Sequence, residues 1–174
     1  MNRIKVVSDV TDLVPVLRAV NSRAKLELFE RLSKDWVTER EVEKEFGKGA
    51  LKLLSYFDKM KLVDTRWVSG PPSKEPEKSY HTYYSTVAVN VTATISEFSE
   101  TLSIATMADK EYASEEKRVI ENISGEGSKF FSEVADAVGI TPTRLKGIVK
   151  RSDKLDYHGH RIELRRKSED SSSK

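Results

Sequence analysis

Apolar residues recur every three or four positions through the first third of the chain, which is the spacing of one helix face. This pattern predicts four helices, over residues 13–20, 22–36, 38–46 and 48–61. The third has the clearest start, because Thr38 and Glu41 have the spacing of a capping box, in which each side chain accepts a hydrogen bond from a free backbone N–H. Gly47 is typical of the residue that ends such a helix.

The pattern then changes to that of strands. Residues 62–70 and 79–85 are β-like, and Pro71, Pro72 and Pro76 between them predict a loop, so the two strands form a hairpin or wing. Residues 86–93 alternate between Val and smaller or polar residues, which predicts a third strand or an extended wing. Residues 1–8 show no element and are predicted to be an ordered tail at most.

The second half repeats the order of helices followed by a hairpin. Thr94 and Glu97 form a second capping-box pattern at the start of a helix, and further helices are predicted over residues 114–123 and 128–138. In residues 139–167, Gly139 closes a helix and Thr141 caps the next one, which begins at Pro142. A basic hairpin follows, with a tight turn at Gly159.

These elements predict a fold that is mainly α with small β-hairpin wings, an α+β class. Two tandem winged helix-turn-helix units are expected, joined by a strand and a helix. The domains are predicted as residues 9–108 for the first winged helix with its following strand and helix, 113–167 for the second, and 168–174 for a disordered polar tail. The polar segment ADKEYAS, residues 108–114, is the predicted boundary.

Composition excludes several function classes. An apolar share of 37% and a charged share of 33% are typical of a globular protein, and the absence of cysteine excludes disulfides, zinc fingers and cysteine-based metal sensing. The N-terminus lacks the pattern of a secretory signal, so we expect a cytoplasmic protein. There is no Gly-rich phosphate loop and no activated-nucleophile motif, so we expect neither an enzyme nor a cofactor.

Two segments carry a family resemblance. The segment VLRAVNSRAKLELFERLS, and the later SYFDKMKLVDTRW followed by KSYHTYYS, are similar to the opening helices, recognition helix and wing of ArsR-type winged-helix transcriptional regulators. The resemblance covers residues 16–85 and implies a homodimeric, archaeal-like regulator that binds double-stranded DNA, with helices outside the helix-turn-helix forming the dimer. The chain departs from the family in having no cysteine in REVEKEFG, where many members bind metals, and in placing Leu51 and Leu53 where polar base-facing residues are usual.

Local charge points to the second unit as the main DNA-binding element. The net charge of the chain is only +2, but residues 139–167 contain nine Lys and Arg residues against three Asp and Glu residues. The residues predicted to contact DNA are Thr143, Arg144, Lys146, Lys150, Arg151, His158, His160 and Arg161 in the second unit, and Lys48, Lys52, Ser55 and Tyr56 in the first. The alternative for each basic residue is an ordinary solvated surface.

Two further readings are open at the level of sequence. His158 and His160 are two residues apart, but the turn glycine between them and the lack of a third nearby ligand argue against a metal site. Leu51 and Leu53 widen the apolar arc of the fourth helix, so the first unit is alternatively a protein-interaction module that binds a component of the transcription machinery. A positive face on residues 139–167 would favour DNA, and an exposed apolar patch around Leu51 would favour a protein partner.

Overall fold

The computed structural model describes residues 3–69 and 76–165, and the chain divides into two compact units, Met1–Thr92 and Ala93–Lys174. The predicted fold class is confirmed, since helices predominate and the strands form small sheets. The boundary predicted at residues 108–114 differs from this division, and the segment forms the start of a helix. Its polar composition is that of a solvent-exposed first turn rather than of a linker.

Over its described residues, the first unit contains four α-helices, a short 3-10 helix (Val10–Asp12) and five strands. In chain order the α-helices and strands are β1 (Ile4–Val7), α1 (Leu13–Ala19), α2 (Arg23–Lys34), β2 (Val37–Thr38), α3 (Glu39–Phe46), α4 (Gly49–Lys59), β3 (Val63–Val68), β4 (Glu77–Thr82) and β5 (Thr86–Val89). Strands β3 and β4 form the wing hairpin, and β2 pairs with the outer side of β4. The core lies between the helices and this sheet, with Leu28, Leu32, Leu54 and Phe57 fully buried.

Helices α3 and α4 form a helix-turn-helix. The capping box of α3 is present as predicted: the Thr38 N–H donates to Glu41 Oε2 over 2.8 Å, and the Glu41 N–H donates to Thr38 Oγ1 over 3.2 Å. Gly47 follows with a φ of 82°, which a residue with a Cβ adopts only with strain. The chain therefore turns within two residues before α4 begins at Gly49.

Strands β1 and β5 form a parallel two-stranded sheet in the first unit, with Ile4 opposite Thr86 and Val7 opposite Val89. Residues 1–8 were predicted to contain no element, and that prediction is wrong. The pairing joins segments about eighty residues apart, so no local periodicity reveals it.

The second unit repeats the order of elements from α1 to β4 of the first. Its elements are α5 (Ile95–Thr106), α6 (Asp109–Ile123), β6 (Ser128–Phe130), α7 (Phe131–Val138), α8 (Pro142–Arg151), β7 (Leu155–His158) and β8 (Arg161–Leu164). Strand β6 precedes two helices and a hairpin and pairs with the hairpin's second strand, as β2 pairs with β4. Residues 128–130 were predicted to be helical, but their backbone pairs with β8 instead.

The start of α8 is as predicted. Gly139 ends α7 in the left-handed conformation with a φ of 71°, and Pro142 occupies the first turn of α8. The Thr141 hydroxyl accepts a hydrogen bond from the Arg144 N–H at 3.1 Å. Within the described ranges 3–69 and 76–165, no helix is both long and apolar enough to cross a membrane.

Helix α5 packs against α8, which is why it belongs to the second unit rather than to the first domain predicted from the sequence. The contact depends on Gly147, since a Cβ at this position would lie 3.4 Å from Ile104 Cγ1 and Cγ2. Alanine therefore just fits, whereas a larger side chain must displace α5.

We expect Gly147→Leu to lower the free energy of unfolding by about 1–3 kcal/mol, the usual effect of overpacking a core. Gly147→Ala is the matched control, and it should be neutral or stabilising by up to about 1 kcal/mol through its higher helix propensity. Urea unfolding of both variants measures the difference. Equal stabilities for the two would show that α5 and α8 are not closely packed.

Candidate nucleic-acid interface

Helix α4 presents a single stripe of polar residues on the side opposite the core. Lys48, Lys52, Ser55 and Lys59 follow one another at intervals of four, three and four residues, and all four are exposed. Such intervals place side chains in a row along one helix face. On the other face Leu54 is buried, so the helix is fixed to its unit with the stripe outward.

Three of the four first-unit residues predicted to bind DNA lie on this stripe, and Tyr56 does not. Lys48 and Lys52 are exposed, and the Ser55 hydroxyl donates to the Leu51 carbonyl at 3.3 Å. Tyr56 is half-buried against the core. Its ring centroid lies 5.5 Å from Lys25 Nζ, which places it on the side of α4 that faces α2.

Leu51 and Leu53 are also half-buried and pack against the core of the first unit. The exposed apolar patch that would favour a protein partner is therefore not formed by these two residues. Their position explains the wide apolar arc of α4, because other residues of the first unit cover a large part of the surface of this helix.

The wing of the first unit adds cations and an exposed aromatic ring. Arg66 lies 4.1 Å from the Trp36 ring centroid, and Lys78 Nζ lies 5.5 Å from that of Trp67, whose side chain is 67% exposed. These contacts hold the two cations along the hairpin. Arg66 was not among the residues predicted to contact DNA. The available signal was its place beside Trp67 in a strand, which puts the two side chains on opposite faces. Pro71 and Pro72 lie outside the described residues.

Arg144, in the second unit, is committed to an internal ion pair. Its Nε donates to Glu115 Oε2 at 3.0 Å, its Nη2 contacts Glu115 Oε1, and both side chains are largely buried. These hydrogen bonds raise the pKa of Arg144 above its ordinary value. The guanidinium that was predicted to contact DNA is thus already neutralised by a carboxylate of α6.

Arg151 was also predicted to contact DNA, but its side chain is only 2% exposed. Its Nη1 donates to the carbonyl oxygens of Ile104 and Met107 at 2.7 and 2.8 Å, and its Nη2 donates to Asp109 Oδ1 at 2.7 Å. The guanidinium also lies 4.1 Å from the Tyr112 ring centroid. Arg151 therefore caps the C-terminal end of α5 and ties it to α6 and α8.

The buried carboxylate of Glu116 is the ion-pair partner of Lys154, another cation of residues 139–167. Glu116 is 4% exposed and accepts hydrogen bonds from the Ser152 hydroxyl at 2.6 Å and from Lys154 Nζ at 2.7 Å. The hydrogen bond to Glu116 raises the pKa of Lys154. Lys154 thus offsets the charge of Glu116 instead of adding to a positive surface.

The hairpin residues of the second unit are divided between internal contacts and solvent. Arg161 donates to Ser128 Oγ at 3.0 Å and to the Ser128 carbonyl at 2.9 Å, so it joins β8 to β6. His158 Nδ1 lies 3.1 Å from Glu163 Oε1, whereas His160 is exposed beside the turn. In the part of the chain that the structure describes, no three histidine or acidic residues come together as a metal site.

Thr143, Lys146 and Lys150 remain partly exposed on α8. These three residues of the predicted second-unit set lie on the helix at the recognition-helix position.

The distribution of charge between the units is the reverse of the one expected. The second unit contains 14 Lys and Arg residues against 15 Asp and Glu residues, a net charge of −1, and the first contains 16 against 13, a net charge of +3. The count over residues 139–167 omitted the acidic residues of α6, which supplies the partners of Arg144, Arg151 and Lys154. The positive excess therefore lies in the unit that carries the α4 stripe.

Comparison with known proteins extends across both units. The family model described as ArsR transcriptional regulator matches residues 7–166, whereas the resemblance in the sequence covered residues 16–85. The second unit thus falls within the matched region up to residue 166. No curated protein matches the chain.

Proposed function

The chain belongs to the ArsR family of transcriptional regulators, and from this premise we propose that it acts as a homodimer on duplex DNA, with α4 of each copy in the major groove. The major groove admits an α-helix, and lysines beside it neutralise phosphates. The proposal includes sequence-specific binding at an operator and hence a cytoplasmic location. The family is one of regulators rather than enzymes.

The observation that supports this proposal best is the exposed stripe of α4. It follows a two-residue turn after α3 and precedes a hairpin, which is the position of the recognition helix in a helix-turn-helix with a wing. Its lysines approach phosphates, and Ser55 supplies a hydroxyl for a base edge. Lys78 and Arg66 on the hairpin extend the positive surface.

The second unit takes a smaller share of DNA contact in this proposal. Lys146, Lys150, Thr143 and the exposed His160 supply auxiliary phosphate contacts, whereas Arg144, Arg151 and Arg161 hold the unit together. Helix α5 exposes 85% of Ile95 and 43% of Phe98. Exposed apolar residues of this kind fit a dimer surface, and the resemblance implies that helices outside the helix-turn-helix form the dimer.

The salt dependence of binding to duplex DNA tests the proposal. Three stripe lysines in each of two copies give six phosphate contacts, so we expect log K to fall with log salt with a slope of about −5. Fluorescence anisotropy between 50 and 200 mM salt measures the slope, and titration to saturation should show two chains per operator duplex. Binding without salt dependence would contradict the DNA proposal, and one chain per duplex would contradict the dimer.

A further inference from the structure

A cavity of about 200 Å³ lies within the first unit, between the end of α1, helix α2 and the β1–β5 sheet. Its lining is mainly apolar, and the side chains that matter for the argument are Val16, Val20, Phe29, Leu62 and Val87. The space opens to solvent on one side, so it is an apolar surface pocket that a small ligand can enter.

The walls of the cavity are partly open to water. Val20 is 39% exposed and Val87 is 45% exposed, although both are large aliphatic residues. Covering such surface is favourable, so an apolar ligand gains free energy on entering. An apolar cavity of about 150 Å³ holds a benzene molecule, which sets the ligand here at about eight to ten non-hydrogen atoms.

One edge of the cavity carries a positive charge in a defined place. Lys5 and Tyr84 both line the cavity, and Lys5 Nζ lies 5.2 Å from the Tyr84 ring centroid. The ring restricts the ammonium group to this edge, so less rotamer entropy is lost when it binds an anion. Glu30 lines another part of the cavity, but it lies on the exposed surface of α2.

We propose that this cavity is a binding site for a small amphiphilic carboxylate, with its apolar tail against Phe29 and Val87 and its carboxylate paired with Lys5. The apolar tail covers the apolar walls, and the head group matches Lys5, the one cation among the described residues that line the cavity. An aliphatic amine directed at Glu30 is the competing ligand chemistry, and the experiment below distinguishes the two.

Phe29, which lines the cavity, also contacts a buried residue of α4. The Phe29 ring packs edge-to-face on the Phe57 ring with centroids 5.4 Å apart, and Phe57 is fully buried on the inner side of α4. A ligand against Phe29 therefore acts on a direct neighbour of the recognition helix. We infer, resting on the proposed function, that the bound carboxylate changes DNA affinity by shifting the position of α4.

Isothermal titration calorimetry on the full chain without DNA tests the site. The probes are octanoate, octan-1-ol and octylamine, which share an unbranched eight-carbon chain and differ in the charge of the head group. We expect octanoate to bind one per chain and more tightly than either of the others. No binding by octanoate, or tighter binding by octylamine, would overturn the carboxylate site.

Two substitutions locate the ligand. Val87→Trp should fill the cavity and weaken octanoate binding at least tenfold, whereas Ala88→Trp, on the neighbouring residue of β5 that does not line the cavity, should leave it unchanged. Lys5→Gln should weaken octanoate binding at least threefold and leave octan-1-ol binding unchanged. If neither Val87→Trp nor Lys5→Gln weakens octanoate binding, the ligand does not occupy this cavity.

Duplex DNA affinity with and without saturating octanoate then tests the coupling. A change of at least fivefold is expected in the unaltered protein and in Ala88→Trp, and none in Val87→Trp. Octanoate binding without any change in DNA affinity would overturn the coupling and leave the site standing. Loss of DNA binding under all conditions would count against the proposed function alone, because calorimetry measures the site without DNA.

Discussion

Replacing Lys48 and Lys52 together by alanine is expected to weaken duplex DNA binding by about 30- to 100-fold. Each exposed ion pair contributes up to about 1 kcal/mol, and a homodimer loses four of them. The salt slope should also fall from about −5 to about −2, because two of six phosphate contacts remain. Both side chains are exposed, so the free energy of unfolding should change little.

The matched control is the double variant Lys146→Ala and Lys150→Ala on α8. These lysines are also four residues apart on the helix at the recognition-helix position of the second unit, so the two variants remove equal charge from the two units. We expect less than about a threefold loss for the α8 variant. A larger loss from α8 than from α4 would make the second unit the main DNA reader and reverse the proposed division between the units.

The sequence predicted helix ends well because their chemistry is local. The capping boxes that begin α3 and α5 each involve residues three apart, and both are formed in the structure. Gly139 and Pro142 likewise act within one turn of the helix ends they mark. A pattern that lies within one turn of helix is readable without knowing what the rest of the chain does.

The residues of the candidate site were predicted less well, because the exposure of a charged side chain depends on partners that lie far away in the sequence. Arg144 looks like a solvated cation in the sequence of α8, yet it is paired with Glu115, 29 residues away. The same limit hid strand β1, whose partner β5 lies about eighty residues later. Periodicity shows which face of a helix is polar, but not which polar residues remain available to a ligand.

Replacing Arg151 by methionine, which has a similar length, is expected to lower the free energy of unfolding of the second unit by about 3 kcal/mol. The main cause is the loss of donors to the Ile104 and Met107 carbonyls, since leaving a buried acceptor unpaired costs about 1–3 kcal/mol. The pair with Asp109 adds less, because that carboxylate is 85% exposed. Arg118→Met, which removes one exposed hydrogen bond to the Val138 carbonyl, is the control and should lose less than about 1 kcal/mol.

Urea unfolding can locate the effect of Arg151→Met, because both tryptophans, Trp36 and Trp67, belong to the first unit. Tryptophan fluorescence therefore follows that unit, and far-ultraviolet circular dichroism follows the helices of both. We expect the variant to move the dichroism transition to lower urea and to leave the fluorescence transition in place. Where it is still folded, it should bind duplex DNA within about twofold of the unaltered protein, because a buried guanidinium reaches no phosphate. Unchanged stability combined with a large loss of DNA affinity would instead place Arg151 in the DNA interface, as the charge pattern of the sequence first indicated.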